Sequence, residues 1–155
     1  MLIHKKRTWF VIADGSHARV LRRIGANAAL EPALAEEMFD PVEHSFAREL
    51  KDDRPGRSFD SPGGGGARHA MEPRSDPHVL RKQAFARHVA AVINGAAERN
   101  EFDGLVLVAP PKTLGEIRAA LGEPAKRRVV AESPKELIKT PRAELAGHLD
   151  AILAG

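Results

Sequence analysis

Leu105-Val106-Leu107-Val108-Ala109 is an unbroken apolar run, introduced by Asp103-Gly104 and stopped by Pro110-Pro111. A strand that is apolar at every position has to be covered on both faces. The chain therefore needs a sheet with helices on two sides, and the rest of the sequence offers the parts. Residues 8–13 (Thr-Trp-Phe-Val-Ile-Ala) are aromatic and β-branched, as strands are. Asp14-Gly15 is a turn signal, and residues 17–23 follow as a second strand, giving a hairpin. Gly25-Ala26-Asn27 turns the chain again. Residues 33–39 fit either a third strand or a short helix, closed by Asp40-Pro41, and residues 42–50 fit a short helical piece.

The later elements alternate. Asp76 can act as N-cap and Pro77 suits the first helical position. The helix they open carries Val79, Leu80, Phe85, Val89, Val92, Ile93 and Ala96 for burial, is weakened at Asn94-Gly95, and ends near Arg99-Asn100. After the strand at 103–109, Thr113 leads into a helix with Leu114, Ile117, Ala120 and Leu121, ended by Gly122. Residues 127–132 make a final strand. Pro141 opens a last helix with Leu145, Leu149, Ile152 and Leu153 on one face. This order predicts an α/β fold with a mixed sheet: the N-terminal hairpin antiparallel, the strands near 104–109 and 127–132 parallel, and helices on the faces. It matches a ribonuclease-H-like arrangement. The expected core includes Phe10, Ile12, Val20, Phe85, Val89, Leu105, Leu107 and Leu149, with Trp9 and Phe102 as further core aromatics.

A length of 155 residues fits one domain, 1–155, with a real core. Cysteine is absent, which excludes disulfides and thiol chemistry and fits a reducing cytosol. The apolar stretch after the basic N-terminus is stopped by Asp14, too early for a signal-peptide core. No run approaches a membrane span, so a cytoplasmic protein is expected. The net charge of +3 is unevenly spread. Residues 1–30 hold six Lys/Arg and one acid, residues 31–53 two and eight, residues 54–88 seven and three, and residues 89–155 nine of each. Two solvated faces of opposite sign would account for this. A surface facing RNA or another phosphate-rich partner would account for it as well.

The basic excess in the middle falls on a long loop, about 48–76, that contains Gly63 to Gly66 in a row. A structureless loop of this length is functional or disordered, and a flexible linker is the plain alternative. Arg54, Arg57, Arg68 and Arg74 offer guanidinium forks for phosphate, and Phe59 can stack on a base. The helix start beyond adds His78, Arg81 and Lys82, with free N–H groups and a positive dipole end, although Asp76 competes there. No Gly-Lys-Ser/Thr follows the glycines, so this is not a nucleotide P-loop. His69 is the local candidate for a general base. No His pair has metal-ligand spacing, so neither a metal nor another cofactor is expected. A two-metal nuclease using Asp14, Asp103 and Glu132 is a further alternative.

Four stretches resemble a known family: Trp9 to Arg19, Asp53 to Asp60, Gly65 to Pro73, and the tail from Leu137-Ile138-Lys139 to His148-Leu149. Together they are similar to bacterial proteins described as required for attachment to host cells. That family is grouped with domains similar to the catalytic middle domain of archaeal and eukaryotic class 1 peptide release factors. The resemblance covers nearly the whole chain. It implies a ribonuclease-H-like fold, a glycine loop reaching toward the peptidyl-transferase centre, and ribosome or tRNA as partner. In the release factors a Gly-Gly-Gln precedes a long helix, and its glutamine helps place the attacking water on peptidyl-tRNA. Gly65-Gly66 stand at the matching place here, followed by Ala67-Arg68-His69. The only glutamine of the chain is Gln83, inside the helix. The resemblance therefore implies binding, with ester hydrolysis only if Gly65, Gly66 and His69 replace the missing glutamine. A protein- or glycan-interaction module is the reading without RNA.

Overall fold

A computed structural model describes residues 5–41 and 76–155. The hairpin forms as expected: β1 (Arg7–Ala13) pairs antiparallel with β2 (His17–Ile24). The intervening turn is held by Asp14, whose Oδ1 accepts from the backbone N–H groups of Ser16 and His17, both at 2.9 Å. Residues 33–39 are neither one strand nor a helix. Two two-residue strands, β3 (Glu31–Pro32) and β4 (Met38–Phe39), pair with β2 at separate places, with bends between them. Pro32 has no N–H to donate, which shortens any ladder there.

Helix α1 (Pro77–Glu98) starts at the expected cap: Asp76 Oδ1 accepts from His78 N at 2.9 Å. It ends with Asn100 at φ 57°, a left-handed position that asparagine tolerates. The helix runs unbroken through Asn94-Gly95, and Asn94 has tertiary partners. Its side-chain amide donates to Ala120 O (3.2 Å) and its Oδ1 accepts from Gly122 N (2.8 Å), tying α1 to the chain after the next helix. Strand β5 (Gly104–Val108) is buried throughout, as its composition demands. Helix α2 (Pro111–Ala120) begins two residues earlier than expected because Pro111 serves as a helix start, not a stop. Gly122 does not close α2 in a left-handed turn. It lies before a short helix, α3 (Glu123–Lys126), whose four residues are too few to show a periodicity. Strand β6 (Val129–Ser133) and helix α4 (Arg142–Ala154) complete the chain.

The sheet order is β3-β2-β1-β5-β6, with β4 also on β2. β1 and β5 are parallel, and so are β5 and β6. The mixed sheet is therefore as predicted. Alternation along β1 splits the core in two. Trp9, Val11 and Ala13 face α1 and α2, with Phe85, Val89, Ile93, Phe102, Leu105 and Leu107. Phe10 and Ile12 face α4, with Leu21, Val106, Val108, Leu145 and Leu149. All eight expected core residues are buried. Leu80 and Leu153 are not: they are 49% and 38% exposed, on helix faces left uncovered by the described residues.

One polar clamp sets the register of the central pair. Asp103 accepts from Arg7 N (2.8 Å), Nε (3.2 Å) and Nη2 (3.1 Å), while Asp103 N donates to Arg7 O (2.8 Å). The hydrogen bonds it donates to Asp103 hold the Arg7 guanidinium above its ordinary pKa, against a smaller opposing effect of burial. A raised arginine pKa keeps its contribution at every pH below the ordinary value, so the arginine side of the clamp does not titrate near neutrality. Among the described residues no helix is long and apolar enough to cross a membrane.

Leu107 contacts the α1 side of the core and is 1% exposed. Leu107→Ala should lower unfolding free energy by about 2–5 kcal/mol, the usual range for buried leucine truncation. Chemical denaturation checks this, and a loss below about 1 kcal/mol would contradict the two-faced core.

Candidate nucleic-acid interface

The three described residues of the expected binding set come together at one corner. Asp76 and Pro77 fix the start of α1, so His78, Arg81 and Lys82 stand in its first turns beside the β1–β2 turn. Arg81 Nη2 lies 2.9 Å from His78 Nδ1. A guanidinium only donates, so Nδ1 is the acceptor and neutral His78 carries its proton on Nε2. Arg81 Nε lies 3.7 Å from Asp40 Oδ2. Asp40 is largely buried, and its backbone N–H donates to Ser16 O at 2.9 Å. Lys82 lays its stem over Gly15, where a Cβ would sit 2.9 Å from both Cγ and Cδ. Glycine at this turn position gives the lysine room.

Ser16, Asp40, His78, Arg81 and Lys82 line a cavity of about 230 Å³. Ser16, Gly15 and Asp40 do not stand out in the sequence as site residues. Gly15 reads as turn punctuation and Asp40-Pro41 as a stop signal, and only the fold brings them to α1. Next to the cavity, His17 stacks on Phe39 with centroids 4.4 Å apart and meets Glu37 at 2.7 Å. Arg19 reaches Glu37 at 3.4 Å and donates to Thr140 O at 2.7 Å. These contacts hold β4, and with it Asp40, against β2.

The same corner holds both roots of segment 42–75. The chain leaves after Pro41 and returns at Asp76, with Asp40 and Arg81 as the tie between them. Arg54, Arg57, Phe59, Gly65, Gly66, Arg68, His69 and Arg74, together with the helical piece expected at 42–50, lie outside the described residues.

The carboxylates of the nuclease alternative are engaged elsewhere. Asp14 holds its own turn, Asp103 holds Arg7, and Glu132 takes Arg118 at 2.6 Å. Asp14 follows β1 while Asp103 precedes the parallel β5, so they sit at opposite ends of the sheet, roughly 20 Å apart by strand rise. They cannot share a metal pair. Among the described residues no group of three or more His, Asp or Glu could hold a metal ion.

By fold and site this is a mixed-sheet α/β domain with a cleft at the start of its longest described helix, where Arg81 and Lys82 stand beside the buried Asp40. Residues 9–149 match the family described as "Protein required for attachment to host cells", and the chain belongs to that family. Comparison with curated proteins finds no match. Among solved structures, an archaeal translation termination factor is similar with a TM-score of 0.40 and 11% identity over 94% of this chain, which spans 38% of the length of that one.

Removing the cap tests how the corner is built. Asp76→Ala leaves His78 N without its acceptor and should cost about 1 kcal/mol, the usual loss for an N-cap. Denaturation together with helix content by circular dichroism would show it. An unchanged midpoint would mean that the start of α1 is fixed by other contacts.

Proposed function

We propose that the domain binds phosphate-rich RNA, in the ribosome or tRNA, through the α1 corner and the glycine- and arginine-rich segment rooted there. The observation that supports this best is the convergence of His78, Arg81 and Lys82 on a cleft also lined by Asp40, close in sequence to the described residues, Pro41 and Asp76, that flank that segment. A helix start supplies N–H groups and a positive dipole end to an anion, although here the Asp76 carboxylate already takes His78 N. Lys82 adds charge beside the Arg81–Asp40 pair, and Arg57, Arg68 and Arg74 extend it along the sequence. Phosphate contacts of this kind give affinity and position without sequence readout. The reading puts the work of the protein in the cytoplasm.

The reading is of a binding factor first. Ester hydrolysis needs a group that places water, and the glutamine the release factors use is missing. His69 is the remaining local base, and Gly65-Gly66 are the residues that could bring backbone N–H groups to an ester carbonyl.

Co-sedimentation with ribosomes and a tRNA binding titration test the proposal. Neutralising Arg57, Arg68 and Arg74 should weaken association at least severalfold. It should also reduce the slope of log K against log salt by about 2, since each phosphate left without its cation removes roughly 0.7–0.9. Equal binding by wild type and triple variant at low and high salt would remove the segment from the interface. In a peptidyl-tRNA cleavage assay the expected result is binding without turnover. Turnover that disappears in both His69→Ala and Gly66→Val would convert the binding factor into a hydrolase. Binding to a surface protein or glycan with no RNA association would replace this reading altogether.

A further inference from the structure

The end of the sheet farthest from the α1 corner carries a second set of cations. There the N-terminal ends of β1, β5 and β6 lie side by side. Asp103 N donates to Arg7 O at 2.8 Å, and Leu105 N to Arg128 O at 2.7 Å. Lys6 folds across Gly104, its Cε 3.0 Å from where a Cβ would be, with Val130 Cγ1 at 3.6 Å from the same point. Lys5 lies over Gly25 in the same way, with Cδ at 3.5 Å. Lys126 and Arg127 lead from α3 toward β6.

Two of the four carboxylates at this end are engaged, Asp103 by Arg7 and Glu101 by Arg99 at 2.8 Å, while Glu98 and Glu123 are exposed on the neighbouring helices and offset part of the positive charge. Lys5, Lys6, Lys126 and Arg127 are exposed and make no ion pair among the described residues. Like charges gathered without partners oppose the compact state and favour an anionic partner beside it. The fold uses Arg7 and Arg128, the latter donating to Ala97 O at 2.6 Å, but not the charges of these other four.

We infer that this end takes a second stretch of RNA phosphate backbone. The domain then bridges two phosphate tracks separated by the length of β1, seven residues or roughly 20 Å. This rests on the RNA-binding reading above and adds to it a minimum reach for the ligand. Phosphate is favoured as the occupant because the four groups offer charge and donors, while the large exposed aliphatic side chains beside them, Ile24 and Val130, stand singly on opposite sides of the sheet's central strands.

The experiment uses the full chain with tRNA over a range of salt concentrations. The variants are Lys5→Gln/Lys6→Gln/Lys126→Gln/Arg127→Gln, and separately Arg81→Gln/Lys82→Gln. A charge-keeping control exchanges Lys for Arg and Arg for Lys at the same four positions. The fourfold neutral variant should keep its melting temperature. It should bind tRNA about tenfold more weakly at low salt with a salt slope lower by about 2–3, and the control should restore both. A wild-type slope in the fourfold variant, with a reduced slope in Arg81→Gln/Lys82→Gln, would overturn the second end and leave the first. No tRNA binding by wild type at low salt would overturn the RNA reading and this inference together. Flotation with phosphatidylserine vesicles, lost in the fourfold variant while tRNA binding is unaffected, would overturn it in favour of a lipid surface.

Discussion

The parallel pairing of β1 with β5 is the contact on which the remaining structure depends. β5 is buried throughout and β1 from Trp9 to Ala13, so the side chains of these stretches must find apolar neighbours in α1 and α2 or in α4. A slip of one residue would exchange the two faces. It would set Phe10 and Ile12 against α1 and Trp9 and Val11 against α4. The Arg7–Asp103 clamp opposes that slip at one end, because its two backbone bonds and two guanidinium bonds exist in a single register. At the outer edge the order loosens. Leu105 opposes Val129 but Val106 opposes Ala131, so Val130 bulges out and stands 48% exposed. A bulge bends an edge strand and interrupts the row of groups that another strand would need.

With the register fixed, the polar residues inside the fold acquire specific uses. Arg23 is nearly buried on β2, yet it lies over the Phe10 ring at 5.3 Å and meets Asp150 of α4 at 2.9 Å, so it fastens that helix to the sheet. Arg19 does the same for the chain before α4, through the carbonyls of Ile138 and Thr140. Asn94 bonds the end of α2 and the chain just after it to the last turns of α1. Arginines that the sequence shows only as basic excess are therefore of two kinds. Some brace the packing, and Arg81, paired with the buried Asp40, stands with Lys82 at the opening beside α1.

What the sequence makes legible follows the strength of each local signal. Continuous apolar runs at β1 and β5 and the Asp76-Pro77 cap are unambiguous, and the structure has them. The two short strands after Gly25 are not legible, because two residues carry no periodicity and their pairing depends on β2 already being in place. Pro111 and Asn94 mislead for a related reason. Each has a local meaning, stop or breaker, that a tertiary partner or a helix start overrides. At the corner, His78, Arg81 and Lys82 can be picked out by charge near a helix start. Asp40 and Ser16 are far from them in sequence and carry no motif. Whether Leu80 and Leu153 are covered depends on which neighbours exist, and no pattern within one helix records that.

The closeness of the two roots at Asp40 and Asp76 also has a bearing on how this architecture can change over time. An excursion whose ends are already held together by the body of the fold adds little closure penalty as it lengthens, about 0.6 kcal/mol for each doubling by polymer statistics. Residues can then be gained, dropped or exchanged between Pro41 and Asp76 while the strand order and both halves of the core stay as they are. What limits change in that stretch is then the work its residues do and not the fold, and two of the four stretches that carry the family resemblance, Asp53 to Asp60 and Gly65 to Pro73, lie inside it.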